Sequence, residues 1–250
     1  MSPNATASAN HDALFPGRVS TLAQTDPELI EVFDNFAFDE VLAHEDLDQQ
    51  VRLLCQLAAM IAAQALAEFR VMTGAALTAG VTPVQVKEVV YQAVPYVGMA
   101  KVFDFLHAVN DVLTEHGVEL PLPGQSASTP ETRHAVGAEV RRRIVGQFDE
   151  TYAGVREDER HLQRYLTGNC FGDHVSRDGL DLRTRELLTF SMLAALGGCE
   201  SQLAGHVAGN LNVGNDRATL LAVLTQLVPF IGYPRTLNAL RVLDEGTLEK

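Results

Sequence analysis

Apolar residues recur along the chain at the three-and-four spacing of amphipathic helices, and the alternating pattern typical of β-strands is nearly absent. Two predicted helix starts have a capping residue followed by proline, namely Asp26-Pro27 and Thr82-Pro83. We expect the Asp and Thr side chains to accept hydrogen bonds from free amides and each proline to set the first helical φ. The pattern therefore predicts an all-α protein.

The chain contains two copies of one sequence pattern, separated by 134 positions. Gly80 corresponds to Gly214, and Gln-Ala-Val-Pro-Tyr-Val-Gly at 92–98 corresponds to Gln-Leu-Val-Pro-Phe-Ile-Gly at 226–232. Each copy is expected to hold a helical hairpin, a glycine break, a third helix ending at the proline, and a fourth helix. The three prolines and small polar residues of 120–130 have linker composition. We predict an N-terminal extension (1–26), a first repeat (27–119), a linker (120–130) and a second repeat (131–250).

Charge and composition argue against several classes of partner and location for the protein. The 32 acidic and 19 basic residues give a net charge of −13, which argues against a nucleic-acid partner because that binding depends on Lys and Arg. Neither a signal-like N-terminus nor an uncharged apolar run of roughly 20 residues is found, so we expect a cytoplasmic protein without a membrane partner. Cys55, Cys170 and Cys199 are an odd number, which indicates reduced thiols.

Candidate chemistry is concentrated in the second repeat. Cys199, Gln202 and His206 stand at spacings of three and four, on one face of a predicted helix. Glu186 lies on the preceding helix, at a height that differs from that of His206 by roughly 6 Å, a gap that two long side chains can close. Spacing alone favours a structural interpretation, in which His206 is a partly buried, hydrogen-bonded helix residue and Glu186 pairs with Arg185 or Arg183 at the surface.

The second repeat resembles the carboxymuconolactone decarboxylase family. The resemblance depends on residues 176–189 and on the ordered motifs that follow them, which are Leu196-Gly197, Gln202-Leu203, His206, Gly214 and Gly232-Tyr233-Pro234. The first repeat is similar to the same family more weakly, through 81–83, 87–89 and 95–98. The resemblance implies a tandem repeat of a helical alkylhydroperoxidase D-like unit, and a homo-oligomer that for a two-repeat chain would be a trimer.

The resemblance also implies a carboxy-lyase that acts on a small lactone or carboxylic acid without a cofactor or metal ion. His206 would then transfer the proton, since its unperturbed pKa is close to neutral pH, and Glu186 would orient the imidazole. The side chains expected to bind the substrate are those of Arg177, Arg185, Gln202 and Tyr233. The two arginines lie near Glu186 in sequence and would hold a carboxylate as a fork.

Two alternatives remain open. The first is a thiol peroxidase that uses Cys199, which stands at the first cysteine of the family's redox motif and at a helix N-terminus that would lower its pKa. Gln202 occupies the place of the second cysteine, so a two-thiol cycle cannot run there. The other alternative is a non-catalytic oligomer that binds a small molecule in an apolar groove.

The first repeat departs from the pattern of the second at the candidate site. With the 134-residue offset, Arg52 stands where Glu186 does and Met72 stands where His206 does. We therefore predict that the first repeat has a degenerate site. Its expected role is to close the pocket of the second repeat with Met72, Phe69 or Tyr96.

Overall fold

The computed structural model describes residues 3–44, 46–146 and 154–247, and in these ranges all regular elements are helical, as predicted. None of the described helices is both long and apolar enough to cross a bilayer. Two segments, Phe36–Glu40 and Leu166–Val175, are π-helical, and the first continues into a helical turn at Val41–His44. Besides short 3-10 turns, the helices are α1 (Ala5–Leu14), α2 (Pro27–Asn35), α3 (Gln49–Ala63), α4 (Leu66–Thr78), α5 (Pro83–Val97), α6 (Met99–Glu115), α7 (Arg133–Val145), α8 (Arg160–Tyr165), α9 (Leu182–Leu196), α10 (Glu200–Asn212), α11 (Arg217–Ile231) and α12 (Tyr233–Thr247).

The helix boundaries confirm the tandem repeat. α4 and α10 differ by 134 positions at both ends, and so do α5 and α11. α6 and α12 begin 134 positions apart. The two π-helical segments also overlap when that offset is applied. The duplication therefore includes local backbone irregularities as well as the helices themselves.

Both repeats contribute to one shared core. Its centre is formed by α3 and α9, which pack along each other and are continuously buried over residues 53–62 and 185–195. Each fully buried leucine or phenylalanine there contributes about 1.5–3 kcal/mol relative to exposure. Amide hydrogen bonds of α11 also join the repeats, because Gln56 donates to the carbonyl of Gln226 and Gln226 donates to that of Val41. The repeats are therefore two halves of a single packed unit.

The N-terminal helix packs as part of the first repeat, although the sequence pattern assigns residues 1–26 to an extension. α1 lies against the first π-helical segment and adds Ala7, Leu14 and Phe15 to the core. α7 lies against the second π-helical segment in the same manner. α1 is short and rich in alanine, so its sequence carries little amphipathic signal.

The helix that begins at Pro83 is capped as predicted. The structure differs from the prediction at Pro27, Pro95 and Pro229. Thr82 forms a capping box with Gln85 in front of Pro83. Asp26 precedes α2 but makes no side-chain capping bond, and its carboxylate accepts a hydrogen bond from Thr25. The helices that contain Pro95 and Pro229 extend two residues past each proline before a glycine with positive φ ends them.

Two glycines let α7 cross the second π-helical segment at backbone contact. A Cβ atom on Gly137 would lie 2.0 Å from the carbonyl oxygen of Thr167. A Cβ atom on Gly172 would lie 2.0 Å from the carbonyl oxygen of Arg133. Since any side chain at either position would collide with backbone, this crossing requires glycine on both elements.

We expect Gly172→Ala to lower the free energy of unfolding by at least about 1–3 kcal/mol, because the added methyl group overpacks a backbone contact that cannot relax. Urea unfolding followed by circular dichroism measures this. Gly205→Ala is the control, since a Cβ at that helical position meets nothing within 4 Å. The control should be neutral or more stable by up to ~1 kcal/mol. Equal destabilisation by both changes would contradict the packing account.

Candidate active site

Glu186 and His206 form a hydrogen-bonded pair between α9 and α10. The Glu186 side chain has 0% exposure, and its Oε2 lies 2.8 Å from Nδ1 of His206, whose side chain is 16% exposed. A carboxylate in this position holds a proton on Nδ1 and leaves Nε2 as the ring nitrogen that exchanges protons with a ligand. No described residue forms a hydrogen bond with Nε2. The structure thus brings the two predicted residues together and pairs Glu186 with a histidine rather than with an arginine.

An asparagine pair and a glycine hold α9 and α10 at this separation. The side-chain amide of Asn210 donates to the backbone carbonyls of Glu186 at 3.1 Å and His206 at 2.7 Å. The side-chain amide of Asn215 donates in turn to Oδ1 of Asn210. A Cβ atom on Gly209 would lie 2.7 Å from Oε2 of Glu186, so α10 can approach the carboxylate only through glycine. Asn210 was not among the predicted site residues, although its position four residues after His206 places it on the same helix face.

Tyr96 of the first repeat completes the surroundings of the pair. Its ring meets the His206 ring edge-on, with centroids 5.7 Å apart. Its hydroxyl is buried beside the side chains of Cys170 and Thr189, and, like Oε1 of Glu186, it has no hydrogen-bond partner of standard geometry among the described residues. Burial raises the pKa of Tyr96, and the nearby Cys170 and Glu186 raise it further, so the hydroxyl stays protonated and can donate. Of the residues predicted to close the pocket, Tyr96 is the one that contacts the pair.

Met72 and Phe69 of the first repeat lie in the core instead. Met72 is 1% exposed and Phe69 is 0% exposed. The Phe69 ring packs edge-on against Phe105, with centroids 5.1 Å apart. The position equivalent to His206 therefore serves packing in the first repeat.

The two arginines expected to bind a substrate carboxylate bind Glu88 of the first repeat. Arg177 donates through Nε and Nη2 at 2.9–3.0 Å, and Arg185 donates through Nη2 at 3.0 Å. Arg185 has 0% exposure, and its Nη1 donates to Gln92 at 2.9 Å. A fully buried guanidinium needs partners inside the protein, and Glu88 and Gln92 supply them. The structure therefore does not place this fork at the Glu186–His206 pair.

Cys199, Gln202 and Tyr233 also lie outside the contacts of the pair. Cys199 stands immediately before α10, where its thiol donates to the carbonyl of Leu193 at 3.4 Å. Burial, followed by the charge of Glu200, raises the pKa of Cys199, which is opposite to the lowering expected from the helix dipole. Gln202 is exposed, and Tyr233 is 61% exposed at the start of α12.

The other two thiols are buried. Burial raises the pKa of Cys55 and that of Cys170 to about 12, so neither is a thiolate at neutral pH. Cys170 nevertheless lies beside the site, because its thiol is close enough to Glu186 for that carboxylate to raise its pKa. Within the described ranges no three His, Cys, Asp or Glu side chains are arranged to hold a metal ion.

The comparisons with known proteins agree with this architecture. The model of the carboxymuconolactone decarboxylase family matches residues 27–111 and 160–245, and the chain therefore belongs to that family. A 4-carboxymuconolactone decarboxylase from Acinetobacter baylyi is 26% identical over 117 residues, which are 46% of this chain and 87% of the relative.

A solved structure from Burkholderia xenovorans, described as a gamma-carboxymuconolactone decarboxylase subunit, has a TM-score of 0.56 to this chain. The match covers 96% of this chain and 97% of that one at 20% identity. At 20% identity the similarity shows a shared fold. The coverage shows that this similarity extends over both repeats.

We expect substitutions at the two equivalent positions, Met72 and His206, to have different effects. Met72→Ala should lower the free energy of unfolding by about 2–5 kcal/mol, as a core truncation does, and leave intact any catalysis or ligand binding at the Glu186–His206 pair. His206→Ala and Glu186→Gln should abolish that activity or binding. Chemical unfolding and a turnover or binding assay, made on each variant at unchanged oligomeric size, test this. Equal functional loss at both positions would show a working site in the first repeat.

Proposed function

We propose that the second repeat carries a carboxy-lyase site for a small lactone or carboxylic acid, with Glu186 and His206 as the proton-transfer groups. The observation that supports this most is the 2.8 Å contact between a fully buried carboxylate and a partly exposed imidazole. A carboxylate on Nδ1 fixes the orientation of the imidazole and leaves Nε2 as the ring nitrogen that transfers a proton. The decarboxylase name of the Acinetobacter baylyi relative supports the reaction class.

In the proposed step, the bond between the substrate's carboxylate carbon and its neighbouring carbon breaks and CO2 leaves. The electron pair of that bond stays on the neighbouring carbon or its conjugated enolate, and Nε2 of protonated His206 delivers a proton to it. Solvent then reprotonates the imidazole. General acid catalysis of this kind contributes about 10²–10⁴-fold to the rate.

Buried polar atoms around the pair suit a polar substrate. Oε1 of Glu186 is buried without a hydrogen-bond partner among the described residues, an arrangement that costs about 1–3 kcal/mol. The Tyr96 hydroxyl is also buried, with no described partner of standard geometry. A lactone or carboxyl oxygen can accept from the Tyr96 hydroxyl. We infer that Tyr96, rather than the arginine fork, orients the substrate, with the first repeat thereby contributing to the site of the second.

A peroxidase function receives less support. A peroxidatic cysteine needs a lowered pKa, whereas burial and Glu200 raise the pKa of Cys199. Its thiol hydrogen bond goes to the backbone carbonyl of Leu193 rather than to a histidine. We therefore assign no chemistry to Cys199.

We also propose that the chain forms a homo-oligomer through two equivalent apolar stripes. Met99 and Phe103 at the start of α6 are 47% and 50% exposed, and their equivalents at an offset of 134, Tyr233 and Leu237 on α12, are 61% and 58% exposed. Because one stripe lies on each repeat, the stripe of one copy can cover the other stripe of the next copy and close a ring. The family resemblance favours a trimer.

We expect purified protein to convert 4-carboxymuconolactone to its enol-lactone with release of CO2. His206→Ala should reduce kcat by at least about 100-fold because the proton donor is lost. Tyr96→Phe should raise KM because a donor to the substrate is lost. Absorbance of the lactone and CO2 release measure turnover, and circular dichroism controls for the fold. Folded wild-type protein without turnover above background would exclude this substrate.

For assembly, we expect the double variant Phe103→Glu, Leu237→Glu to have the mass of a monomer in light scattering after gel filtration, because it places charge in both stripes. Val19→Glu is the matched control, since Val19 is a 78% exposed apolar residue outside the stripes. A monomeric wild-type protein, or an unchanged oligomer in the double variant, would contradict the proposed interface.

A further inference from the structure

A cavity of about 340 Å³ lies between α5, α6, the linker and the loop before α9. Its polar lining consists of Lys87, Glu88, Tyr91, Asn110, Gln125 and Arg177, and linker residues 120–124 and Val84 supply apolar surface. This volume is within the range of small-molecule sites. Glu186 and His206 do not line it, so the cavity is separate from the proposed lyase site.

Lys87 is a buried cation for which no described residue acts as a counterion. It is 9% exposed, and its Nζ donates to Oδ1 of the neutral Asn110 at 2.6 Å and lies 5.3 Å from the centre of the Tyr91 ring. Burial lowers the pKa of Lys87, and no charged group of the described residues offsets that effect. A buried ammonium group without an anionic partner is costly, so an anion in the cavity would be stabilised by it.

Arg177 adds a second positive charge to the same wall. Its guanidinium lies 5.0 Å from the centre of the Tyr91 ring, so both cations lie against one aromatic side chain. Nε and Nη2 of Arg177 donate to Glu88, a carboxylate that also accepts from Arg185. Nη1 of Arg177 forms no hydrogen bond with a described residue. Glu88, the carboxylate among the described residues that line this wall, is therefore shared by two guanidinium groups.

The second repeat pairs its charges at the corresponding place. With the 134-residue offset, Asn110 corresponds to Asp244, and the carboxylate of Asp244 accepts a hydrogen bond from Arg217 on α11. Lys87 corresponds to Leu221. In the second repeat a cation and an anion thus bridge the last two helices, whereas in the first repeat the cation faces a neutral amide.

We propose that this cavity binds a small organic carboxylate. Its carboxylate accepts hydrogen bonds from Nζ of Lys87 and Nη1 of Arg177, and its apolar body lies against Val84 and the linker residues Leu120 and Leu122. The apolar part of the wall favours an organic anion over a hydrated inorganic one, since dehydrating a phosphate there costs more than burying a hydrocarbon. The site belongs to the first repeat and needs neither Glu186 nor His206.

Isothermal titration calorimetry with benzoate tests the proposal on the full chain. We expect wild-type protein to bind benzoate and not the uncharged benzamide. Asn110→Asp supplies the missing counterion at nearly unchanged volume, so it should raise the Kd for benzoate at least tenfold. Asn238→Asp, which makes the same charge change at an exposed position, should leave the Kd unchanged.

Lysine variants and a second ligand separate the remaining outcomes. Lys87→Met should weaken benzoate binding at least tenfold, whereas Lys101→Met, at an exposed lysine, should not. His206→Ala should keep the wild-type Kd. The proposal is overturned if benzoate does not bind, if benzamide binds equally well, or if His206→Ala loses binding that Asn110→Asp keeps. Tighter binding of inorganic phosphate than of benzoate would overturn the assignment to an organic anion.

Discussion

The burial of α9 is the constraint on which the rest of this structure depends. The helix lies at the centre of the core and is buried throughout residues 185–195, yet it carries two oppositely charged side chains in succession, Arg185 and Glu186. Consecutive residues of a helix point in different directions, so these charges cannot satisfy each other within it. Each must find a partner on a neighbouring element, because an unpaired buried charge costs several kcal/mol.

Arg185 and Glu186 have different partners. The contact of Arg185 belongs to the fold, whereas the contact of Glu186 belongs to the candidate site. Arg185 pairs with Glu88 of the first repeat at a position with no exposure, so that contact holds the repeats together. Glu186 pairs with His206, which keeps 16% exposure, so that contact connects the core to the surface of the second repeat. The Arg185–Glu88 pair is a salt bridge enclosed by protein, whereas the Glu186–His206 pair leaves Nε2 of the imidazole available to a ligand.

Duplication has given the two halves the same backbone and different polar contents. The helix boundaries repeat with an offset of 134, but Met72 has taken the histidine position and is part of the core. Tyr96 has kept its place at the end of α5 and reaches the His206 ring of the other repeat. Lys87 has no cationic equivalent in the second repeat. The first repeat thus contributes Tyr96 to the surroundings of His206, and its charged side chains are arranged differently from those of the second repeat.

The sequence by itself determined the all-α class and the duplication, because helical periodicity and a repeated motif can be read along the chain. It indicated Glu186 and His206 as the candidate pair only together with the resemblance to a known family, since spacing alone favoured a structural role for both. Only the tertiary structure decided which charges meet. Arg177 and Arg185 lie beside Glu186 in the chain, but their partner Glu88 is about 90 positions away. The place of Tyr96 beside His206 also depends on how the repeats pack. Contacts of this kind are set by which faces the shared core buries, and no pattern within a single helix records that choice.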